Sequence, residues 1–184
     1  MKLRTATRDD LPRIAEVMRE STASLSVGFY DARERASAVE HITVPDVQLI
    51  DDGTYYVIED EGAIVACGGW SLRRKLFTGG GDADATRLDP RFDAARIRAM
   101  FVLPSHTRRG LGRLLLDTSE RAARDAGFHT FELMATLPGV PLYRACGYEE
   151  VEQSEIRLAD GVTLGGVIMR KVVAAAGAPP RRVM

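Results

Sequence analysis

Hydrophobic and polar positions follow two different periods along this chain, and each period predicts a different kind of element. Near the start, apolar side chains recur at intervals of three and four residues, which predicts an amphipathic helix. The positions on its predicted buried face are Leu11, Ile14, Ala15 and Met18. A second, weaker helix is predicted over 31–41.

Residues rich in β-branched and aromatic side chains then predict strands. The stretches 53–60 and 63–72 flank a Glu-Gly turn and predict a β-hairpin. Gly68 and Gly69 weaken its second strand, so we expect a bulge or a close backbone approach there. Residues 96–103 become wholly apolar, as a strand in the middle of a sheet does.

The strongest helical pattern covers about 109 to 127. Its predicted buried face carries Leu111, Leu114, Leu115, Thr118 and Ala122. Its predicted polar face carries Arg113, Asp117, Glu120 and Arg124. Gly127 suits the left-handed conformation just past a helix end.

The remaining pattern predicts a strand over 128–135, a short helix over 140–146, and paired strands over 148–158 and 163–172. The resulting order is β-α-α-β-β-β-α-β-α-β-β. It predicts an α/β fold with a mixed, mostly antiparallel sheet and helices on both faces. We expect one domain over 1–172. The tail 173–184 has no buried pattern and is predicted to be disordered.

Composition narrows the class of protein. A chain of 184 residues, 45% hydrophobic and 28% charged, suits a soluble globular domain. The net charge of -1 gives no general attraction to nucleic acid or to an anionic membrane, so we expect neither as a partner. Cys67 and Cys146 match no disulfide framework or zinc motif, and we predict no metal. Without an apolar leader or spanning segment, the sequence predicts a cytoplasmic protein.

Candidate chemistry concentrates where the apolar strand ends at Pro104 and a basic loop leads to Gly110-Leu111-Gly112 at a helix start. A helix N-terminus offers unpaired N–H groups that favour phosphate, and glycine lets the backbone approach a bulky anion. The nearby arginines are Arg108, Arg109 and Arg113. These features predict a site for a pyrophosphate-sized anion. Rossmann and P-loop motifs are absent, and a solvated helix start whose glycines serve only the turn stays open.

Two motifs resemble the GNAT N-acetyltransferase superfamily. Phe101-Val102-Leu103-Pro104, followed by Arg108 to Leu115, resembles its acetyl-CoA signature. The family pattern Gln/Arg-x-x-Gly-x-Gly/Ala falls on Thr107 to Gly112, where both glycines match and Thr107 departs. Leu142 to Tyr148 resembles the family's Leu-Tyr-x-x-x-Gly-Phe, with tyrosine in the last place. Thr136 stands where many members carry asparagine.

The resemblance implies acetyl-CoA as co-substrate and direct attack by a primary amine of a small molecule or peptide in a ternary complex. It places at the cofactor Phe101, Val102, Leu103, Thr107, Arg108, Arg109, Gly110, Leu111, Gly112, Arg113 and Thr136. Tyr143 is the candidate general acid for the departing thiolate, because an ordinary tyrosine is protonated at neutral pH. The resemblance makes a homodimer plausible.

Other residues are assigned with alternatives. Glu132 is a candidate general base that competes with a water chain. His106, beside the cofactor loop, is interpreted as an incidental loop residue, with a phosphate or substrate contact as the alternative. Cys146 is assigned to the core, and Trp70 to the core or to an acceptor pocket.

The acceptor is expected against the second helix, the long loop 73–93 and the last strands. Acidic residues of that loop could attract a cationic amine or simply be solvated. They are Asp82, Asp84 and Asp89. The alternatives to an enzyme are a non-catalytic acyl-CoA sensor and an interaction module without cofactor.

Overall fold

The predicted elements are present in the structure, a computed structural model that describes residues 1–76 and 86–174. The strands are β1 (Lys2–Thr5), β2 (Tyr55–Asp60), β3 (Ala63–Ser71), β4 (Ala95–Val102), β5 (Thr130–Thr136), β6 (Glu149–Arg157) and β7 (Thr163–Val172). The helices are α1 (Leu11–Leu25), α2 (Ala32–His41), α3 (Val47–Asp51), α4 (Leu111–Asp125) and α5 (Val140–Ala145). Among these strands and α-helices of the described residues, α3 was not predicted, because five residues span little more than one helical period.

The strands form one seven-stranded sheet in the order β1-β2-β3-β4-β5-β7-β6. Neighbouring strands are antiparallel except β4 and β5, which are parallel. The predicted mixed, mostly antiparallel sheet is therefore confirmed. In the β6–β7 hairpin the second strand lies inside, against β5, so β6 forms the edge.

Both faces of the sheet centre are covered. Side chains of consecutive strand residues point to opposite faces, and Val57 and Ile58 in β2 are both fully buried. Ala66 and Cys67 in β3 are fully buried in the same way. Both α1 and α4 pack against β3 and β4. A strand buried on both faces needs helices on both faces, as the sequence pattern predicted.

The buried stripe of α4 differs from the predicted one by about one residue. Leu114, assigned to the buried face, is 45% exposed, whereas Glu120, assigned to the polar face, is only 4% exposed. The buried stripe instead contains Leu111, Leu115, Leu116, Ser119, Glu120 and Ala123. Glu120 tolerates burial because its carboxylate lies 2.7 Å from the ammonium of Lys171 in β7. The helix ends as predicted, with Gly127 at φ 94°.

The glycine pair of β3 lies opposite a bulge in β4. The register changes between the pairs Cys67–Phe101 and Gly69–Arg98, which leaves one extra residue in β4. Ala99, at the bulge, adopts φ 53° and its carbonyl accepts a hydrogen bond from the Tyr55 hydroxyl at 2.9 Å. A Cβ added to Gly69 would collide with the backbone carbonyl of Thr54. The predicted bulge and close backbone approach are both confirmed.

Some predictions fall on parts of the chain that are not described. The middle of the long loop, with Asp82 and Asp84, lies outside the described residues, as does the predicted tail from position 175 onward. The domain boundary at 172 coincides with the end of β7 and stays a prediction. Over 1–76 and 86–174, none of the helices has the length and apolarity needed to cross a membrane.

Candidate active site

A cleft begins where two central strands separate. β4 and β5 pair only at Ala95–Phe131 and Arg96–Glu132. Beyond these pairs, β4 stays with β3 while β5 stays with β7 as far as Thr136. The sheet therefore opens between β4 and β5, and we call this opening the splay.

The opening leads into a cleft of about 640 Å³. The predicted cofactor and catalytic residues that line it are Phe101, Val102, Thr107, Arg108, Gly110, Leu111, Gly112, Arg113, Thr136 and Tyr143. Two predicted cofactor residues do not line it. Leu103 is buried and its N–H bonds to the Val65 carbonyl at 2.9 Å. Arg109 directs its guanidinium toward Asp60, at 3.9 Å.

The backbone of β4 presents alternate residues to the opening. The Leu103–Val65 bond is part of the β3–β4 ladder, and antiparallel ladders alternate between hydrogen-bonded and non-bonded pairs. The next bonded pair is Phe101 with Cys67, so the main-chain groups of Phe101 face β3. Val102 occupies a non-bonded position, and its N–H and carbonyl face the cleft. Val102 is therefore the residue whose backbone can bind an extended ligand.

The loop before α4 is shaped by two residues in the left-handed region, Arg108 at φ 62° and Gly110 at φ 81°. The first bond of the helix joins the Leu114 N–H to the Gly110 carbonyl at 2.9 Å. The amides of Leu111 and Gly112 precede that ladder and stand at the positive end of the helix dipole. This geometry fits a diphosphate.

The two glycines of the signature serve different purposes. The positive φ at position 110 favours glycine, and an added Cβ there would meet no atom within 4 Å. A Cβ on Gly112 would lie 2.9 Å from Cδ2 of Leu142, the residue before Tyr143 in α5. Gly112 therefore lets α5 pack closely on the start of α4. We expected it to admit phosphate, and helix packing is the contact that the structure gives it.

The polar side chains around the loop have distinct partners. Arg113 donates to the Ala145 carbonyl at 3.1 Å while lining the cleft, and Arg108 is exposed there. Thr107, which replaces the family's glutamine or arginine, donates its hydroxyl to the Pro104 carbonyl at 2.9 Å. Its side chain thus closes the turn. Arg108 and Arg113 therefore supply positive charge where the cleft meets the start of α4.

Tyr143 combines packing with access to the cleft. It is 9% exposed, and its ring meets the Tyr148 ring edge-on with centroids 5.8 Å apart. Burial, and then the nearby Cys146 thiol, raise the pKa of the Tyr143 phenol above its usual value. The phenol therefore keeps its proton at neutral pH. A protonated hydroxyl beside the cleft suits a general acid.

Two further candidates are removed from the chemistry by their positions. Glu132 does not line the cleft: its carboxylate accepts hydrogen bonds from Arg96 and from Arg170, with Nε of Arg170 at 3.0 Å. Burial raises the pKa of the Cys146 thiol, so this cysteine behaves as a core residue as predicted.

Trp70 and His106 occupy different settings. Trp70 is buried with its ring edge-on to Phe128 at 6.0 Å, which settles it in the core rather than in an acceptor pocket. His106 lines the cleft, and its Nε2 lies 3.3 Å from an Asp60 carboxylate oxygen. Asp89 is the third acidic residue of the long loop, and its carboxylate accepts hydrogen bonds from Arg91. These hydrogen bonds lower the pKa of Asp89 to about 2. Asp89 does not line the cleft.

The other end of the cleft contains residues that the sequence did not reveal. Tyr30 donates its hydroxyl to the Gly165 carbonyl at 2.6 Å and accepts from the Leu137 N–H at 2.9 Å. Arg98, only 5% exposed, lines the cleft and pairs with Asp46. An arginine inside an apolar strand is a signal that could have marked Arg98. A lone loop tyrosine carries no such signal.

Metal ligands do not gather in the part of the chain that the structure describes. Across residues 1–76 and 86–174, no group of three or more histidine, cysteine, aspartate or glutamate side chains could hold a metal ion.

The cleft thus lies between a splayed pair of strands and the amides at a helix start, and the sequence identifies the family of the chain. Residues 15–148 match the profile of the acetyltransferase (GNAT) family. The chain belongs to that family. No curated protein matches this chain significantly.

Solved structures share the fold over nearly the whole chain. A GCN5-related N-acetyltransferase from Rhodopseudomonas palustris is 17% identical, with a TM-score of 0.72 over 94% of this chain and 95% of that one. The PaiA N-acetyltransferase of Thermoplasma acidophilum, solved with coenzyme A, is 15% identical, with a TM-score of 0.64 over 93% and 98%. The yncA protein of Salmonella typhimurium, solved with acetyl-CoA, is 19% identical, with a TM-score of 0.63 over 99% of both chains.

Proposed function

We propose that this protein is an acetyl-CoA-dependent N-acetyltransferase that transfers the acetyl group directly to a primary amine. The observation that carries the proposal is the single cleft that joins the splay of β4 to the start of α4 and passes Tyr143. Family membership supports an acyltransferase activity. Within this fold, PaiA was solved with coenzyme A and yncA with acetyl-CoA.

Acetyl-CoA lies along this cleft in an extended form. The pantetheine arm pairs with the backbone N–H and carbonyl of Val102, which completes the unpaired edge of β4. The diphosphate accepts hydrogen bonds from the amides at the start of α4. Arg108 and Arg113 add positive charge at the same place, as guanidinium groups do for phosphate oxygens.

Transfer then needs no covalent enzyme intermediate. The neutral amine attacks the thioester carbonyl, a C–N bond forms, and a backbone N–H of the bulged β4 strand stabilises the oxyanion. When the C–S bond breaks, Tyr143 gives its proton to the departing thiolate, which leaves as the thiol. The attacking nitrogen loses its extra proton to water, because Glu132 is held outside the cleft by two arginines.

Thermal unfolding with and without acetyl-CoA tests the proposal. At about 100 times its Kd, a ligand adds about 2.7 kcal/mol of stability, so the wild type should unfold about 5 to 10 °C higher. Gly110→Asp should lose that shift, because it places a carboxylate where the diphosphate binds. Aspartate tolerates the left-handed region and is favourable at a helix start, so the variant should still fold.

Gly62→Asp is the matched control. Gly62 has φ 83° against 81° at Gly110, and in both places an added Cβ would meet no atom within 4 Å. Gly62 lies in the β2–β3 turn and does not line the cleft, so this variant should keep the full shift. A folded wild type without any shift would reject the proposal in favour of an interaction module. A shift without turnover of any amine would favour a non-catalytic acyl-CoA sensor.

A further inference from the structure

The end of the cleft opposite the cofactor loop is closed by contacts between its own walls. Tyr30, in the loop between α1 and α2, bonds both the Gly165 carbonyl of β7 and the Leu137 N–H after β5, at 2.6 and 2.9 Å. Ser37 of α2 donates to the Asp160 carboxylate in the β6–β7 turn at 2.7 Å. We name this set of contacts the clasp.

The clasp is backed by a buried apolar cluster. Tyr30 and Ala38 from the helical wall pack with side chains of the hairpin wall. The hairpin residues of that cluster are Ile156, Leu158, Val162 and Leu164. Because the two walls are already in contact here, an extended polypeptide has no open groove between α2 and the β6–β7 turn. The acceptor must fit inside the cleft as a compact molecule.

The side chains that line this end are mostly apolar. The apolar ones are Leu25, Ala38, Ile42, Met134, Ile156 and Leu164, and the residues that add hydroxyl groups are Ser21, Thr22, Ser26 and Tyr30. Among the lining residues that the structure describes, none carries a carboxylate. Among the described lining residues at this end, the charged one is Arg98, which pairs with Asp46 outside the lining. A second ammonium group on the acceptor would find no carboxylate among these residues to compensate its charge, which is unfavourable for a buried group.

The same composition favours the reactive form of the acceptor. An amine must lose its proton before it can attack the thioester, and a nearby carboxylate would instead stabilise the ammonium form. Burial against apolar side chains lowers the pKa of an amine, because desolvation disfavours the charged form. A lining whose described residues include no carboxylate therefore raises the fraction of neutral acceptor.

We propose that the acceptor is a small primary amine with an uncharged, apolar body, and that polyamines and peptides are poor acceptors. This inference rests on the proposed acetyltransferase function. It assigns the acceptor to the apolar end of the cleft between Tyr30 and Met134, with its amine toward the splay of β4 and β5.

The test compares acceptors of equal size. Pentylamine and 1,4-diaminobutane have the same number of heavy atoms and differ in whether the far end is a methyl or an ammonium group. With saturating acetyl-CoA, release of the coenzyme A thiol gives kcat/KM for each amine and for a tetrapeptide with a free N-terminus. We expect pentylamine to exceed both by about tenfold or more, because an uncompensated buried charge is costly.

A matched pair of variants locates the selectivity. Ile42 lines this end, is half-buried and follows the last residue of α2, so a polar replacement there is tolerated. Ile42→Asp supplies the missing carboxylate and should lower the pentylamine-to-diaminobutane ratio by about tenfold. Ile42→Asn has nearly the same shape without the charge and should leave the ratio much closer to the wild-type value. An equal ratio in both variants would overturn the assignment of this end to the acceptor.

Failure of this inference and failure of the proposed function give different results. If acetyl-CoA stabilises the wild type but diaminobutane or the peptide is acetylated as well as pentylamine, only the acceptor class is overturned. The same holds if acetyl-CoA stabilises the protein and pentylamine is not acetylated. If acetyl-CoA neither stabilises the protein nor is consumed, the proposed function fails and the acceptor inference fails with it.

Discussion

The two ends of the cleft use different kinds of interaction. The cofactor end is made by one continuous stretch, from β4 to the first turn of α4, and offers backbone amides and exposed arginines. The acceptor end is made by side chains from α1, α2, β5, β6 and β7, and is mostly apolar. The proposed cofactor, which is large and highly charged, would therefore meet mainly backbone groups and arginines, and the proposed small acceptor would meet side chains.

This difference separates affinity for the cofactor from choice of acceptor. Backbone amides at the start of α4 remain in place when side chains elsewhere change. The acceptor end depends on contacts between distant elements, such as Tyr30 with Gly165, and can be altered without touching the cofactor loop. Variants at the two ends should therefore change different kinetic parameters.

The largest expected effect is at Tyr143, between the two ends. Tyr143→Phe should lower kcat by about 100-fold or more, the usual contribution of a general acid, with little change in stabilisation by acetyl-CoA. Tyr148→Phe is the matched control, because Tyr148 contacts Tyr143 but does not line the cleft. A kcat for Tyr143→Phe within twofold of the control would remove Tyr143 from the mechanism.

A smaller effect distinguishes the arginines of the cofactor end. Arg108→Ala should weaken acetyl-CoA binding about five- to tenfold, since it removes a charge-assisted contact in an exposed, screened setting. Arg109→Ala should have less than about twofold effect, because that guanidinium turns toward Asp60. Titration calorimetry at two salt concentrations measures the Kd of acetyl-CoA for both variants. The difference between the two Kd values should shrink at high salt. Equal losses in the two variants would contradict the geometry of the loop.

A still smaller effect on catalysis is expected at Glu132, which lies at neither end. Glu132→Gln should change kcat by less than about twofold and should leave the shape of its pH profile unchanged, because the carboxylate does not line the cleft. The same variant should lower the melting temperature, since Arg96 is largely buried and would lose its partner. A loss of the acidic limb of the pH–rate profile would restore Glu132 as the general base.

The last prediction is that kcat/KM does not decline at alkaline pH. Burial raises the Tyr143 pKa above its usual value near 10, so the phenol keeps its proton as the pH rises to about that value. Wild-type kcat/KM for an amine should therefore climb as the acceptor deprotonates and should not fall again below about pH 10. A decline between pH 8 and 9 would show that a different acid, with an ordinary or lowered pKa, protonates the thiolate.

The cofactor end was readable from the amino-acid sequence because its determinants are neighbours along the chain. Gly110 indicates a left-handed backbone conformation, and the nearby arginines indicate positive charge. The helix that follows supplies the free backbone amides. The order of strands and helices followed from local periodicity in the same way, and only the short α3 was missed.

Only the tertiary structure decided the acceptor end and the fate of the isolated polar residues. Sequence could not show that Glu132 lies between two arginines from neighbouring strands, or that Tyr30 joins two walls of a cleft. It placed Glu120 on a solvated face, whereas Lys171 compensates its charge in the interior. Periodicity along a chain reports which elements form, but burial, partners and selectivity depend on residues brought together from distant positions, and those contacts exist only after folding.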